Sequence, residues 1–307
     1  MPCYPALRLS IVFATIAAVV VIAQQNEPAP VRHMRANGVD LEYVEQGKGT
    51  PVVFVHGAVG DLRYWEPQRD AFAKRHRFVA YTYRYHGLAP WPDDGKQYSA
   101  ETHAADLAAF LQGLKSGPVH VVGLSYGGLL AAMVALKEPQ LIRTLTLAEP
   151  ALFSLLAEKP DAAPVLEQWA KGIEPMAAAM KTGDNTTALR HLVALVTGGR
   201  PEDFDKLPES FRQILADNAR TMAPLFAATP PNVTCDMLRG IKAPTLVLRG
   251  EKTPVFFSKI SDAVGACIAG SKVGVIPNAS HTMSFENLAG FNRAVLSFLT
   301  QSPSTSR

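Results

Sequence analysis

The sequence has few cysteines and no long run of charge of one sign. Its 307 residues include only three cysteines, Cys3, Cys235 and Cys267, whose spacing matches no metal-ligand pattern. Thirty Lys and Arg are scattered among 27 Asp and Glu, which leaves a net charge of +3. These absences exclude a disulfide-dense scaffold and a cysteine-ligated metal site, and they give no sign of a nucleic-acid partner.

The apolar run near the N-terminus is short for a membrane span. Residues 9–23 form an uncharged stretch of fifteen residues after Arg8, whereas a helix needs about 20 residues to cross a bilayer. The small residues Val21 and Ala23 precede a polar segment, which is typical of a secretory signal peptide at 1–23. The sequence therefore predicts export to a periplasm or the medium, with an uncleaved N-terminal anchor as the alternative and no other membrane contact.

The cysteines outside this segment form one pair. Cys3 lies inside the predicted signal, so Cys235 and Cys267 are left to the mature chain. An oxidising compartment would permit a disulfide between them. Their spacing alone does not decide whether they pair, because pairing depends on geometry.

What the chain does contain is an alternation of short apolar runs with helical patterns. Buried strands are predicted at 51–55, 77–83, 119–122 and 141–148, and a hairpin is predicted around Gly38. Strands alternating with helices predict an α/β fold, a mostly parallel sheet flanked by helices. Helices are predicted at 62–74, 99–115 and 129–136, and the alternation resumes with strands at 245–248 and 272–276 and helices at 255–269 and 286–299.

Residues 151–232 interrupt this alternation. They carry helical patterns separated by Gly and Pro and no strand pattern. A helical insertion within an α/β domain is typical of a lid over a pocket. The sequence therefore predicts a core in two parts, 31–150 and 233–300, a helical lid at 151–232 before the last two strands, and a polar tail at 301–307.

The segment 119–133, VHVVGLSYGGLLAAM, contains a candidate nucleophile. Gly123, Ser125 and Gly127 form the G-x-S-x-G pattern between a predicted strand and a predicted helix. In a nucleophile elbow the serine occupies the apex of a strained turn, and the glycines permit the close backbone approach that the turn requires. The pattern and its context predict that Ser125 is a nucleophile.

A serine nucleophile requires a base and a carboxylate that orients the base. His281 lies in a loop between the last predicted strand and the last predicted helix. Parallel strands bring such a loop to the same edge of the sheet as the elbow. His281 is therefore the candidate base, whereas the other histidines considered fall within or beside regular elements: His76, His103, His120 and His191.

Three motifs make the chain similar to the α/β-hydrolase fold family over about 31–300. They are HGAVGD at 56–61, GLSYGG at 123–128 and the Ser280-His281 loop. The resemblance implies the chain order serine, acid, histidine, and an oxyanion hole formed by backbone N–H groups. Carried over to this sequence, those groups belong to Ala58 and Tyr126, and no metal or organic cofactor is implied.

The acid departs from the common pattern of the family. Thr253, which carries no charge, stands where the family usually places Asp, in the turn after the seventh strand. Part of the family instead supplies the acid after the strand that follows the elbow helix, where Glu149 stands. The resemblance therefore implies Glu149 as the acid, with Glu251 as the alternative.

The resemblance also implies a function. It implies a serine hydrolase that cleaves a carboxylic ester or lactone of a small, fairly apolar molecule through an acyl-enzyme on Ser125. Two alternatives stay open: hydrolysis of a carbon–carbon bond on the same fold, and a hydrolase-like ligand-binding or receptor protein. Nothing in the sequence indicates an oligomeric state.

Overall fold

The computed structural model describes residues 29–157 and 159–301. The predicted signal peptide at 1–23, Cys3, and residues 302–307 of the predicted tail lie outside the described residues. Those predictions therefore remain predictions. Among the helices that the structure describes, none is long and apolar enough to span a membrane.

The fold begins with the predicted hairpin. Asn37 and Gly38 connect its two strands with φ angles of 45° and 81°. Positive φ at both central residues is typical of the two-residue type I′ turn, which asparagine and glycine tolerate best. The hairpin strands pair in antiparallel orientation and form one edge of the sheet.

Eight strands form one sheet in the order β1-β2-β4-β3-β5-β6-β7-β8. Strand β2 is antiparallel to both of its neighbours, and all the other pairs are parallel. The chain reverses its direction of progress across the sheet between β3 and β5, where open α/β sheets bind ligands at the carboxyl ends of their strands. The strands are β1 (Arg32–Ala36), β2 (Val39–Gln46), β3 (Pro51–Val55), β4 (Arg77–Tyr81), β5 (Val119–Leu124), β6 (Ile142–Ala148), β7 (Thr245–Gly250) and β8 (Lys272–Ile276).

The helices of the first half largely follow the sequence, with one correction. The helix predicted at 62–74 is a 3₁₀ helix, Leu62–Gln68, followed by a short α-helix. Pro67 lies within the 3₁₀ segment and has no N–H for an α-helical hydrogen bond. Ser99 caps the next helix by accepting the Thr102 N–H. The α-helices are α1 (Arg69–Ala73), α2 (Ala100–Gly113) and α3 (Tyr126–Lys137), and a 3₁₀ turn follows at Pro139–Leu141.

Between β6 and β7 the described residues form helices and no strand. The absence of strand there agrees with the sequence, and the role of this segment as a lid remains a prediction. We call the segment 151–232 the inserted helices, and α9 follows it. The α-helices are α4 (Ser154–Ala157), α5 (Ala163–Lys181), α6 (Asn185–Thr197), α7 (Glu209–Asn218), α8 (Met222–Ala227) and α9 (Cys235–Leu238), with 3₁₀ turns at Pro160–Ala162, Pro201–Lys206 and Ala219–Thr221.

The last helices differ from the sequence prediction at one point. The terminal helix predicted at 286–299 is confirmed at Leu288–Gln301, but a short helix that the sequence does not predict, Met283–Glu286, precedes it. The chain leaves helical geometry between the two at Asn287, where φ is −136° and ψ is 67°. Two helices result, and the first of them closely follows the loop that carries His281. The helices are α10 (Val255–Cys267), α11 (Met283–Glu286) and α12 (Leu288–Gln301).

The centre of the sheet is buried on both faces. Every residue of β3 and β5 is buried. Val121 packs in a core that includes Leu130 of α3, whereas its neighbour Val122 packs in a second core that includes Phe291 of α12. Strands covered on both faces are rich in Val and other apolar residues without alternation, which is the pattern of these strands.

A disulfide joins Cys235 to Cys267, with their Cα atoms 5.2 Å apart. The bond connects the start of α9 to the end of α10. It resolves the pairing that the spacing of the cysteines left open.

Candidate active site

Ser125 directly follows β5 and precedes the first residue of α3. Its φ of 54° and ψ of −119° are unusual for a residue other than glycine, and such a conformation costs about 1–3 kcal/mol. Hydrogen bonds hold the strained residue in place: its N–H donates to Ala148 O at 2.9 Å, and its carbonyl accepts from Ala151 N–H at 3.0 Å. The serine is thus fixed at the apex of a sharp turn and stays partly exposed.

Two glycines allow this turn to form. A Cβ atom at Gly123 would lie 2.5 Å from Gly127 O, and a Cβ atom at Gly127 would lie 2.3 Å from His56 O. Both distances are too short for any side chain, and the clashing atoms belong to the backbone. The start of α3 therefore packs directly on the end of β3, and glycine is required at both positions.

His281 and Glu149 meet at the same edge of the sheet. Glu149 directly follows β6, and His281 lies in the loop between β8 and α11. His281 Nδ1 is 2.6 Å from Glu149 Oε2, and the glutamate is fully buried. Because a carboxylate only accepts hydrogen bonds, Nδ1 carries the proton in this pair. Nε2 is then the nitrogen that can take a proton from a nucleophile.

The ring and the loop of His281 are held by their surroundings. The imidazole stacks on Phe257, with ring centroids 3.8 Å apart and planes inclined by 13°. The preceding residue, Ser280, donates to Glu286 Oε2 through its N–H at 2.6 Å and its hydroxyl at 2.9 Å. The imidazole is therefore oriented by packing as well as by its carboxylate partner.

Two further groups bind the Glu149 carboxylate. Gly250 N–H donates to Oε1 at 2.7 Å, and the Thr253 hydroxyl donates to Oε2 at 2.9 Å. Thr253, which stands at the family's usual acid position, thus supplies a hydrogen bond to the acid on the neighbouring strand. The sequence did not predict this role, although a hydroxyl residue in place of the expected Asp was the available signal.

The alternative acid, Glu251, lies elsewhere. Its Oε2 accepts the Asn278 N–H at 2.7 Å, and its side chain is exposed. The hydrogen bond to His281 comes from Glu149. The structure therefore brings Glu149 to the histidine, and it uses Glu251 to hold the turn after β8.

The two candidate oxyanion donors flank the serine. Tyr126 is the first residue of α3, and the first amides of a helix have no acceptor within it. Ala58 lies in the loop after β3, and this loop contacts the elbow, because a Cβ atom at Gly57 would lie 3.6 Å from Ser125 Cβ. The phenol of Tyr126 is buried, and its oxygen lies 3.0 Å from His103 Nδ1.

Four other histidines are buried and neutral at physiological pH. Burial lowers the pKa of His56 and of His120 from 6.5 to about 4. Burial lowers the pKa of His103 to about 3, and it lowers that of His86 well below its ordinary value. These imidazoles act as uncharged packing and hydrogen-bonding groups.

A buried polar network connects the inserted helices to the loop after β3. Asn218, at the end of α7, donates to Asp61 Oδ2 at 2.7 Å and accepts the Gly87 N–H at 2.7 Å. Burial acts to raise the pKa of Asp61, but hydrogen bonds and charge from Arg63, with Asn218, outweigh it and hold this pKa below its ordinary value. Asp61 is therefore an anion held between the core and the inserted helices.

Within the described residues, no group of three or more His, Cys, Asp or Glu side chains is arranged to hold a metal ion.

Arg84 and His86 carry structural contacts. Arg84 makes a two-point ion pair with Asp106 at 2.6 Å, and His86 Nδ1 lies 2.9 Å from Gly60 O. These contacts fix the turn after β4 beneath the loop that carries Ala58.

Comparisons with known proteins agree with this fold. A family model described as the alpha/beta hydrolase fold matches residues 50–288. The chain is similar to the 2-(acetamidomethylene)succinate hydrolase of Mesorhizobium japonicum, with 24% identity over 256 residues that cover 81% of this chain and 88% of the relative. It is also similar to the 2-hydroxy-6-oxo-2,4-heptadienoate hydrolase of Pseudomonas putida, with 26% identity over 291 residues that cover 87% and 95% of the two chains.

Among solved structures, the chain resembles Est816, described as an N-acyl homoserine lactone degrading enzyme. The TM-score is 0.67 at 25% identity, and the match covers 87% of this chain and 100% of that one. The curated relatives above are hydrolases, and the family model spans most of the sequence. The chain is therefore a hydrolase enzyme that belongs to the α/β-hydrolase fold family.

Proposed function

We propose that the protein hydrolyses a carboxylic ester or lactone of a small, fairly apolar molecule through an acyl-enzyme on Ser125. The observation that carries the proposal is the 2.6 Å hydrogen bond between His281 Nδ1 and Glu149 Oε2. It forms at the carboxyl edge of the sheet where β5 presents Ser125 in a strained turn. A nucleophile, a base and a carboxylate that orients the base are the groups that acyl transfer requires.

The first step forms a bond between Ser125 Oγ and the carbonyl carbon. His281 Nε2 takes the hydroxyl proton as the bond forms, and the carbonyl π electrons move onto oxygen. Glu149 stabilises the resulting imidazolium through Nδ1–H. The backbone N–H groups of Ala58 and Tyr126 bind the negative oxygen.

The second step releases the alcohol and then the acid. The tetrahedral intermediate collapses, the carbon–oxygen bond to the alcohol breaks, and His281 gives its proton to that oxygen. Water then attacks the acyl-enzyme, with His281 as base again, and releases the carboxylic acid and free Ser125. In a lactone the alcohol and the acid remain one molecule.

The aromatic side chains beside His281 support an apolar substrate. Phe257, which stacks on His281, contacts Phe256, and Phe256 packs against Trp169 of α5 with ring centroids 4.2 Å apart. Phe153, the residue before α4, packs against the same Trp169, with ring centroids 5.1 Å apart. These rings make the surroundings of His281 apolar, and sites with apolar surroundings favour small molecules of this character.

Carbon–carbon bond hydrolysis is the second candidate. The relative from Pseudomonas putida acts, by its name, on 2-hydroxy-6-oxo-2,4-heptadienoate. That molecule contains no ester or amide, so its hydrolysis must break a carbon–carbon bond. The same serine, histidine and acid serve either chemistry.

The test is turnover by the protein lacking residues 1–23. The substrates are a short-chain p-nitrophenyl ester, an N-acyl homoserine lactone and 2-hydroxy-6-oxo-2,4-heptadienoate. We expect cleavage of the ester or the lactone and a loss of at least about 10⁴-fold in Ser125→Ala. Ser297→Ala, which removes an exposed hydroxyl on α12, serves as the matched control and should retain the parent rate.

Each other outcome contradicts part of the proposal. Turnover of the dienoate alone favours carbon–carbon cleavage. Turnover of an ester that Ser125→Ala leaves unchanged removes Ser125 from the mechanism. A folded parent protein that turns over none of the three favours a ligand-binding protein.

We also propose that residues 1–23 direct export. The disulfide between Cys235 and Cys267 supports an oxidising compartment. The test is the intact mass and the location of the full chain expressed in a bacterium that has a secretion pathway. Loss of residues 1–23 outside the cytoplasm is expected, an uncut chain in the membrane fraction supports an anchor, and an uncut cytoplasmic chain contradicts export.

A further inference from the structure

Two buried side chains hold the carbonyl of Gly57. The Tyr83 hydroxyl donates to Gly57 O at 2.7 Å, and His56 Nδ1 lies 2.8 Å from the same oxygen. A carbonyl oxygen only accepts, so the Nδ1 proton of His56 points at it. The two rings are fully buried and stack, with centroids 4.0 Å apart and planes inclined by 9°. We call this arrangement the Gly57 clamp.

The clamp fixes the direction of the next N–H. The described residues contain no cis peptide bond, so the C=O of Gly57 and the N–H of Ala58 belong to one planar group and point in opposite directions. A carbonyl held by two donors therefore orients the Ala58 N–H on the other side of the peptide. Hydrogen bonds accepted by the carbonyl also polarise the peptide, which strengthens its N–H as a donor.

The clamped peptide lies beside the nucleophile. A Cβ atom at Gly57 would contact Ser125 Cβ at 3.6 Å. On the far side of Ala58, the Thr221 hydroxyl lies 3.4 Å from Ala58 O. The peptide is thus held on the core side by Tyr83 and His56, next to the atom that attacks the substrate.

We propose that Tyr83, together with His56, is a positioning residue that orients and polarises the Ala58 amide for the oxyanion. The inference rests on the proposed function, because it takes Ala58 N–H as an oxyanion donor. Tyr83 acts through the peptide and does not touch the substrate. Its hydroxyl therefore affects the transition state, in which the oxygen is negative, more than the bound ester, in which it is neutral.

Tyr81 provides a matched control. It lies two residues earlier, at the end of β4, and is as fully buried as Tyr83. Its hydroxyl has no hydrogen-bond partner among the described residues. Removing either hydroxyl leaves a buried phenyl ring in the same core, but only at position 83 does the change release the Gly57 carbonyl.

The experiment compares Tyr83→Phe with Tyr81→Phe on a p-nitrophenyl ester. We expect kcat to fall about tenfold in Tyr83→Phe, with KM within about twofold of the parent value. Affinity for a boronic acid, which forms a tetrahedral adduct on a serine nucleophile, should fall by the same factor. Affinity for the product carboxylate should not change, and Tyr81→Phe should keep all the parent values. A purely structural role would not separate these quantities.

Parent kcat and parent boronic acid affinity in folded Tyr83→Phe would overturn the proposal. An equal loss in Tyr81→Phe, or a change confined to KM, would overturn it as well. A second measurement needs no turnover: selective ¹⁵N-alanine labelling follows the Ala58 amide proton, which should move upfield in Tyr83→Phe and stay in place in Tyr81→Phe. An unmoved resonance contradicts the clamp.

This second readout separates the two proposals. A parent protein without hydrolase activity contradicts the proposed function, yet the Ala58 resonance still reports whether the clamp holds the peptide. If Tyr83→Phe does not fold, 3-fluorotyrosine introduced at position 83 alone provides the opposite test. Its more acidic phenol should strengthen the bond to Gly57 O and move the Ala58 amide downfield, and no movement would overturn the inference.

Discussion

The acid–base half of the candidate site is built from the core alone, whereas the oxyanion half is also tied to the inserted helices. Glu149 follows β6, its donors Gly250 and Thr253 end or follow β7, and His281 follows β8. These three strands are neighbours and parallel. Every hydrogen bond that positions the acid therefore comes from adjacent loops of one sheet edge.

The oxyanion half has partners on both sides. On the core side, Tyr83 and His56 hold Gly57 O. On the other side, Asn218 binds Asp61, and the Thr221 hydroxyl lies 3.4 Å from Ala58 O. Asn218 and Thr221 belong to the inserted helices, far from Asp61 and Ala58 in sequence.

From this difference we expect the inserted helices to influence the chemistry, in addition to the lid role predicted for them. A change in the core turn around Glu149 should affect proton transfer. A change in the contact between Asn218 of α7 and Asp61 should instead affect stabilisation of the negative oxygen. The two kinds of change can be separated by measuring turnover and transition-state-analogue affinity in matched variants.

The largest expected loss of kcat comes from substituting the acid of the acid–base half. Glu149→Gln keeps the shape of the side chain but removes the charge that stabilises the imidazolium, so kcat should fall about 10³–10⁴-fold with KM little changed. Glu251→Gln is the control: its carboxylate binds Asn278 N–H at the surface, and its kcat should stay within about twofold of the parent. Hydrolysis of a p-nitrophenyl ester measures both, and the reverse ranking would move the acid to Glu251.

The next largest effect is expected from removing the contact between Asn218 of α7 and the oxyanion half. Asn218→Ala leaves the buried Gly87 N–H without its acceptor and Asp61 without one donor. The free energy of unfolding should fall by about 2–4 kcal/mol, and kcat should fall about tenfold because the loop that carries Ala58 loses an anchor. Urea unfolding and ester turnover measure the two effects.

Gln213→Ala controls for the helix itself. Gln213 lies on the same α7, and its exposed side chain bonds to Asp217. It should keep both the stability and the turnover of the parent within about 0.5 kcal/mol and twofold. A variant at Asn218 that loses stability but keeps full kcat would show that the inserted helices do not position the oxyanion loop.

The same contrast separates what the sequence could predict from what it could not. The elbow is local: Gly123, Ser125 and Gly127 lie within five residues, and the steric need for glycine follows from the turn itself. The alternation of strands and helices likewise reveals which loops meet at one sheet edge. The fold and the meeting of the loops that carry Ser125 and His281 were therefore predictable, whereas the choice of Glu149 over Glu251 rested on the resemblance to the family.

The supporting contacts were not predictable, because they join distant residues whose types fit many partners. Thr253 reaches Glu149 across 104 residues, and Asn218 reaches Asp61 across 157. Nothing local to a threonine or an asparagine specifies such a partner, which depends on how the elements pack. The Cys235–Cys267 pairing was open for the same reason.

Acid should lower the free energy of unfolding through His103, a buried histidine whose Nδ1 lies 3.0 Å from the Tyr126 phenol oxygen. Burial, with the nearby charge of Arg84, lowers the pKa of His103 from 6.5 to about 3. The unfolded chain binds a proton near pH 6.5 and the folded protein only near pH 3, so the stability linked to His103 is complete above pH 6.5 and is lost as pH falls toward 3. The loss is about 1.4 kcal/mol for each pH unit.

His103→Gln tests this linkage. Between pH 7.5 and 5.0 the free energy of unfolding of the variant should fall by about 2 kcal/mol less than that of the parent. His33→Gln removes an exposed imidazole on β1, which solvent surrounds in both states, and should follow the parent. Urea unfolding at the two pH values makes the comparison. An equal decrease in the free energy of unfolding for all three proteins would contradict the linkage to His103.

The smallest effect tests whether the two halves are independent. Thr253→Val removes the hydroxyl that donates to Glu149 Oε2, but Gly250 N–H and His281 still bind the carboxylate. We expect kcat to fall only about fivefold, and Thr253→Ser to keep the parent rate. Among the described residues Thr253 and Asn218 share no hydrogen-bond partner, so their effects on kcat should multiply in the double variant. If the loss of kcat in the double variant is smaller than the product of the two single losses, the two halves respond to the same change in the loops. The acid–base half would then not be independent of the inserted helices.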